Sequence, residues 1–204
     1  EGGVVVPNDG YLRDLRRLCD VKDVLLIVDE VQSGIGRTGK WFGYQHEDIL
    51  PDVVTSAKAL GNGVPIGACL ARGVAATILS PGTHGSTFGG NPLACSAALA
   101  VLDVVNEKNL LERSRLLGNF FATAFQRKLA SRNEVIEVRG KGLMVGIELD
   151  RPCGDLVKIC SSRGVLINVA AQNVVRLLPP LIISDDQATE IVENVSASIF
   201  EFLD

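Results

Sequence analysis

Five consecutive apolar residues, Val24-Leu25-Leu26-Ile27-Val28, run straight into two carboxylates, Asp29 and Glu30. A short unbroken apolar run bounded by charge reads as a strand covered on both faces, the situation of a parallel sheet. Parallel strands need long crossovers, usually helical, so the run commits its surroundings to an α/β organisation. The neighbouring sequence agrees. Leu12, Leu15, Leu18 and Cys19 recur on one helical face, with Asn8 or Asp9 placed to cap that helix. Val53-Val54-Thr55 and Ala68-Cys69-Leu70-Ala71 are two further strand candidates. Asn91-Pro92 combines a capping side chain with proline at the first turn, and Leu93, Ala97, Ala100, Val101 and Val104 carry the helical period from there. A second long helix is expected around Leu110, Ser114, Leu117, Phe121 and Phe125.

Beyond Asn133 the pattern changes. Leu143, Val145, Ile147 and Leu149 alternate strictly, which predicts a strand with one covered face. Short strands are expected at Val165–Asn168 and Val174–Leu178, after a helix near Asp155–Ser162. Ser184 and Gln187 form a capping box, and Asp185 and Asp186 suit the first turn of a closing helix. The expected division is an α/β part at 1–132 and a smaller α+β part at 133–204.

Composition narrows the function classes. With 204 residues, 47% of them hydrophobic, the chain has apolar material for a substantial core. Lys+Arg 20 against Asp+Glu 24 gives a net charge of -4, which argues against nucleic acid as a partner. No apolar run approaches the roughly 18 residues of a membrane-spanning helix. Five cysteines with no CxxC spacing are expected as free, packed thiols in a reducing setting, and a cytoplasmic location follows. The opening Glu1-Gly2-Gly3 has neither Met nor leader, as expected of a segment of a longer protein.

Two phosphate motifs fit in letters and fail in context. Gly34-x-Gly36-x-x-Gly39 matches the dinucleotide fingerprint, but Lys40-Trp41-Phe42-Gly43 opens no helix to face a pyrophosphate. Read as a P-loop, the same stretch has Trp41 where Ser or Thr must hold magnesium. His46 and His84, the only histidines, are expected to be structural, and no metal is expected.

A third set of residues makes joint chemical sense. Asp29 ends a strand, where open α/β sheets gather ligand-binding groups. Lys58 lies just past another strand, in Ser56-Ala57-Lys58-Ala59-Leu60; its apolar flanks are expected to desolvate it and free the amine as a nucleophile. Ser86-Thr87-Phe88-Gly89-Gly90-Asn91-Pro92 is a polar, glycine-rich loop feeding a helix N-terminus. A nucleophilic lysine, a carboxylate and a phosphate cradle are the protein parts that pyridoxal phosphate requires.

The segments Leu25–Gly34, Ser56–Gly61 and His84–Leu93 resemble the three signature segments of class III aminotransferases, in order and in spacing. The similarity continues through Arg139-Gly140-Lys141-Gly142-Leu143 to the C-terminus. The resemblance implies the large-domain part of the type I pyridoxal-phosphate-dependent transferase fold, with a mostly parallel sheet, followed by a small C-terminal domain. By matching position, Lys58 would bind pyridoxal 5'-phosphate covalently and move protons. Asp29 would pair with the pyridine nitrogen, Val31 would cover the ring face and Gln32 would bond near its phenolic oxygen. Thr87 would reach the phosphate of the neighbouring subunit's cofactor, with Ser86 at the substrate, so a homodimer with shared active sites is implied. Glu1 resembles a family glutamate that pairs with an arginine, placed here at Arg139, to let one pocket take two substrates.

The implied reaction moves the δ-amino group of N2-acetyl-L-ornithine to 2-oxoglutarate, as in arginine biosynthesis. Alternatives are ornithine, succinylornithine, N-succinyl-diaminopimelate or 4-aminobutyrate as the amine, or a truncated non-catalytic fragment. Family members are about twice this long, and the half before Glu1 holds other expected cofactor and substrate contacts.

Overall fold

A computed structural model describes all residues, 1–204. The chain divides into two compact units, one of Pro7–Leu111 and one of Glu1–Val6 with Glu112–Asp204. The division falls at 111/112, ahead of the change of pattern near 132. The reason is that Leu117, Phe121, Phe125 and Leu129 of α4 (Leu110–Leu129) are buried in the core of the C-terminal unit.

The Pro7–Leu111 unit holds α1 (Tyr11–Lys22), β1 (Ile27–Asp29), β2 (Val53–Ser56), β3 (Ala68–Ala71), the single-turn α2 (Ala75–Ile78) and α3 (Pro92–Glu107). Its sheet runs β1-β2-β3, with β1 and β2 parallel and β3 antiparallel. The sheet is therefore mixed. The apolar run expected to be covered on both faces is shorter and more open than expected. Only residues 27–29 are strand, Ile27 is 61% exposed, and Leu26 alone of the run is buried.

The cap of α1 also differs from expectation. Neither Asn8 nor Asp9 serves; Gly10 takes the N-cap at φ 91°, and its N–H donates to both carboxylate oxygens of Glu47 at 2.8 and 3.0 Å. Glycine reaches that left-handed conformation without a Cβ clash, and a carboxylate at the helix start complements the dipole. Arg16 then ties α1 to the sheet. Its guanidinium meets Asp52 at 2.6 Å, and Asp52 also accepts from Leu26 N at 2.8 Å. Cys19, Leu26 and Ile49 form the small core beneath.

The C-terminal unit is more tightly closed. A four-stranded antiparallel sheet, ordered β4 (Val135–Lys141), β5 (Met144–Leu149), β7 (Val174–Leu177), β6 (Asn168–Ala170), carries α4, α5 (Leu156–Ser162) and α6 (Asp185–Leu203) against one face. The predicted alternation is visible in burial: Leu143, Val145, Ile147 and Leu149 are all within 2% of fully buried. Phe121 and Phe125 stack against each other beneath them. The capping box forms as expected, with Gln187 N donating to Ser184 Oγ at 3.1 Å and Ser184 N to Gln187 Oε1 at 2.9 Å. The strand expected from Val165 begins only at Asn168.

Candidate active site

The parallel pairing of β1 with β2 sets the geometry. Asp29 lies opposite Thr55 in register, so both stand at the C-terminal ends of adjacent parallel strands, and Lys58 follows three residues beyond Thr55. Asp29 is exposed. Its Oδ1 accepts from Val31 N at 2.9 Å and from the Thr55 hydroxyl at 3.3 Å, which orients the carboxylate.

The next residue behaves oppositely. Glu30 is 2% exposed, accepting from Tyr44 N at 2.8 Å and from the Ser33 hydroxyl, while its own N–H donates to Thr55 O at 2.9 Å. Burial, and then the Glu30 charge, push the Tyr44 phenol up. These bonds fold residues 31–42 into successive turns, placing Val31 and Gln32 directly after Asp29. No α-helix opens after the glycines, only the short 3-10 turn Gly43–Glu47, so a pyrophosphate meets no α-helix N-terminus there. His46 Nε2 lies 3.1 Å from Thr38 O and 3.2 Å from its hydroxyl, a structural role within the same loop.

Lys58 opens a 3-10 turn, Lys58–Leu60, and holds φ at 43°. A non-glycine residue in the left-handed region is strained, and such strain concentrates at functional sites. Gly61 is required for space: a Cβ there would sit 2.0 Å from Val64 O. The expected desolvation by neighbouring Ala and Leu is not provided, because Lys58 is exposed while Leu60 turns inward. Nearby, the buried Ser56 hydroxyl has no hydrogen-bond partner.

The glycine-rich loop is an ordered lead-in to α3. Ser86 Oγ accepts from Gly89 N at 3.0 Å, Asn91 Nδ2 donates to Phe88 O at 2.9 Å, and Asn91 Oδ1 caps the helix through Ala94 N at 3.0 Å. Thr87 is exposed between these turns. One apolar cluster ties the three segments together: Ile35 from beyond Gln32, Leu60 from beyond Lys58 and Ala98 from the second turn of α3.

Glu1 and Arg139 are not paired as expected. Glu1 is exposed. Arg139 is held by Glu148 and by Glu137 (2.8 Å), and donates to Gly3 O and Val4 O. Burial alone would lower its pKa; the hydrogen bonds it donates to Glu148 and Glu137 outweigh that and raise it. With every guanidinium nitrogen engaged, Arg139 has no fork left for a substrate carboxylate.

Sequence reasoning passed over three residues that the structure brings forward. Thr55 helps orient the Asp29 carboxylate, and Glu30 holds the loop that follows it through Ser33 and Tyr44; strand alternation past Asp29 was the available signal for Glu30. Arg176, in β7, has a buried Nε–H without an acceptor and borders a cavity of about 490 Å³ with Leu166, Ile167, Pro179 and Gln187. An arginine inside an otherwise apolar strand was its signal.

Comparisons with known proteins agree with this arrangement. The profile "Aminotransferase class-III" matches residues 1–199. Acetylornithine aminotransferase of Nitrosomonas europaea is 52% identical over 204 residues, covering all of this chain and 52% of that protein. The Methanosarcina mazei acetylornithine aminotransferase is 47% identical over 195 residues, 95% of this chain and 48% of that one. Among solved structures, ornithine aminotransferase from Toxoplasma gondii superposes with a TM-score of 0.94 at 38% identity, over 100% of this chain and 49% of that one. Acetylornithine aminotransferase from Elizabethkingia anophelis gives 0.91 at 42% identity, over 98% and 54%. The chain thus spans about half the length of the curated relatives it matches. With the match running along nearly its whole length, the chain belongs to the class-III aminotransferases, a pyridoxal-phosphate-dependent family.

Proposed function

We propose that the protein containing this chain is a cytoplasmic, homodimeric aminotransferase that moves the δ-amino group of N2-acetyl-L-ornithine to 2-oxoglutarate, yielding N-acetyl-L-glutamate 5-semialdehyde and L-glutamate. The observation that carries the reading is the strand-end arrangement: Asp29 and Lys58 at the same ends of a parallel pair, joined through the Ile35–Leu60–Ala98 cluster to the α3 lead-in. The curated relatives named as acetylornithine aminotransferases support the choice of amine. Five free cysteines suit a reducing compartment.

The residues present fit pyridoxal phosphate by the chemistry of their donors: a carboxylate, an accessible primary amine, and a hydroxyl loop at a helix N-terminus. When bound, that cofactor supplies a carbonyl for amine exchange and a ring that accepts electron density. Lys58 Nζ would hold it and carry a proton to and from the substrate carbon. Asp29, oriented by Val31 N and Thr55 Oγ1, would keep the ring nitrogen protonated. Val31 and Gln32 would flank the ring. Thr87, with the positive end of α3 behind it, would meet the phosphate of the partner subunit's cofactor, and Ser86 would meet substrate. Arg176, with an unspent buried N–H, suits a substrate carboxylate better than the fully engaged Arg139.

The test uses a protein of the relatives' full length that carries this chain. Borohydride reduction should fix the cofactor on the Lys58 peptide, and Asp29→Asn should keep cofactor while losing about 10²- to 10³-fold in turnover, the scale for a lost preorganised electrostatic partner. Fixation at Lys40 or Lys141, or near-normal turnover in Asp29→Asn, overturns the assignment. A panel of N-acetylornithine, ornithine, succinylornithine and 4-aminobutyrate decides the amine.

A further inference from the structure

We infer that Arg139 is a positioning residue, a clamp that fixes the left-handed turn at Gly3–Val4 and thereby the placement of Glu1. Val4 holds φ at 54° although it is β-branched, and it is buried at 8% exposure. Such a residue leaves the left-handed region unless its surroundings hold it there. Arg139 supplies the hold. Its Nε donates to Val4 O at 2.9 Å and to Gly3 O at 3.2 Å, and Nη2 donates to Gly3 O at 2.7 Å.

The clamp is braced from behind. Nη1 is gripped by Glu137 at 2.8 Å and by Glu148, so the guanidinium cannot swing away without abandoning two carboxylates. Register adds the seat: Arg139 on β4 lies opposite Gly146 on β5, and a Cβ at Gly146 would stand 3.1 Å from Val4 Cβ. The glycine makes the room and the arginine closes it. Glu1 lies two residues before the first clamped carbonyl, so the direction in which the chain presents it is set here.

The kinetic consequence rests on the aminotransferase reading; the clamp does not. In the full-length protein, Arg139→Gln should raise KM for both amine and 2-oxo acid at least tenfold, with cofactor absorbance, its pH profile and cofactor affinity unchanged. Adding Val4→Gly, or Val4→Asn if the glycine variant folds poorly, should restore much of that loss, because both residues accept positive φ. Elastase cleavage within Val4–Val6 should quicken about tenfold in Arg139→Gln and slow again in the double variant. Unchanged KM and cleavage would show that the turn holds itself. A raised KM that neither second substitution repairs would show that Arg139 touches substrate directly. A protein with neither cofactor absorbance nor turnover before mutation refutes the aminotransferase reading alone, and the cleavage rates then still decide the clamp.

Discussion

The two units handle their strands in opposite ways. In the C-terminal sheet, Val145, Ile147, Leu149, Val175 and Leu177 are buried at 0–4% exposure over a continuous apolar core. In the Pro7–Leu111 unit every residue of β3 is exposed, β1 is open at Ile27 and Asp29, and the two cores hold three buried residues each. The sequences of β1 and β3 ask for cover that these 204 residues do not supply. The candidate residues Asp29, Lys58 and Thr87 lie in the open unit, and the closed unit carries Arg139 and Arg176. An apolar run therefore states what a strand needs, and burial tells whether the same chain meets the need.

Thiol chemistry gives the widest contrast between the units. Cys153 is fully buried and burial pushes its thiol up to about 11, whereas Cys69 on β3 is exposed. Near pH 8 the Cys153 thiolate fraction is about a thousandth, before access is counted. Alkylation should mark Cys69 within minutes and Cys153 only after unfolding; equal rates would show that the C-terminal core opens as readily as β3.

Core truncation comes next. Phe125→Ala, at a fully buried ring stacked on Phe121, should cost about 3–5 kcal/mol in denaturant titration. Leu26→Ala, in the three-residue core of the other unit, should cost about 2 kcal/mol or less. Amide exchange along α6 reports the first loss, and fluorescence of Trp41 reports the second. Comparable losses would mean that the small core is as well closed as the large one.

A further effect is electrostatic. The hydrogen bond from Arg16, followed by that from Leu26 N–H, holds the Asp52 carboxyl below its usual range. A depressed folded pKa stabilises fully above the unfolded value, about 3.9, and that contribution fades as pH falls through the lower folded value. Trp41 fluorescence should show the Pro7–Leu111 unit loosening below about pH 4. Asp52→Asn should cost about 1.5–3 kcal/mol at neutral pH and flatten that acid limb. An unchanged acid profile would remove Asp52 from the account.

What the sequence disclosed and what it withheld divide along the distance between partners. The Asn91 cap, the Ser184–Gln187 box and the 143–149 alternation depend on residues three apart or on period 2, and all three appear as read. The Gly10 cap depends on Glu47, 37 positions away, and Arg139 finds Gly3 across 136. No local pattern encodes such meetings. Within the candidate site, the position of Asp29 at a strand end and of Lys58 just past one was legible, because both follow from the strands themselves. Glu30 was not singled out, because a buried carboxylate needs a loop that folds back to meet it.

Asp29 and Glu30 are adjacent, chemically near twins, and assigned to opposite worlds: one open to solvent, the other sealed beneath Tyr44 N–H. Side chains along a strand alternate, so a slip of β1 against β2 by one residue would exchange them. The shorter carboxylate would then face Tyr44 N–H in place of the longer one, and the longer one would stand exposed at the strand end. The grip on Glu30 thus acts as a proofreading device for pairing: only the register that satisfies the inner carboxylate leaves the outer one exposed at the strand end.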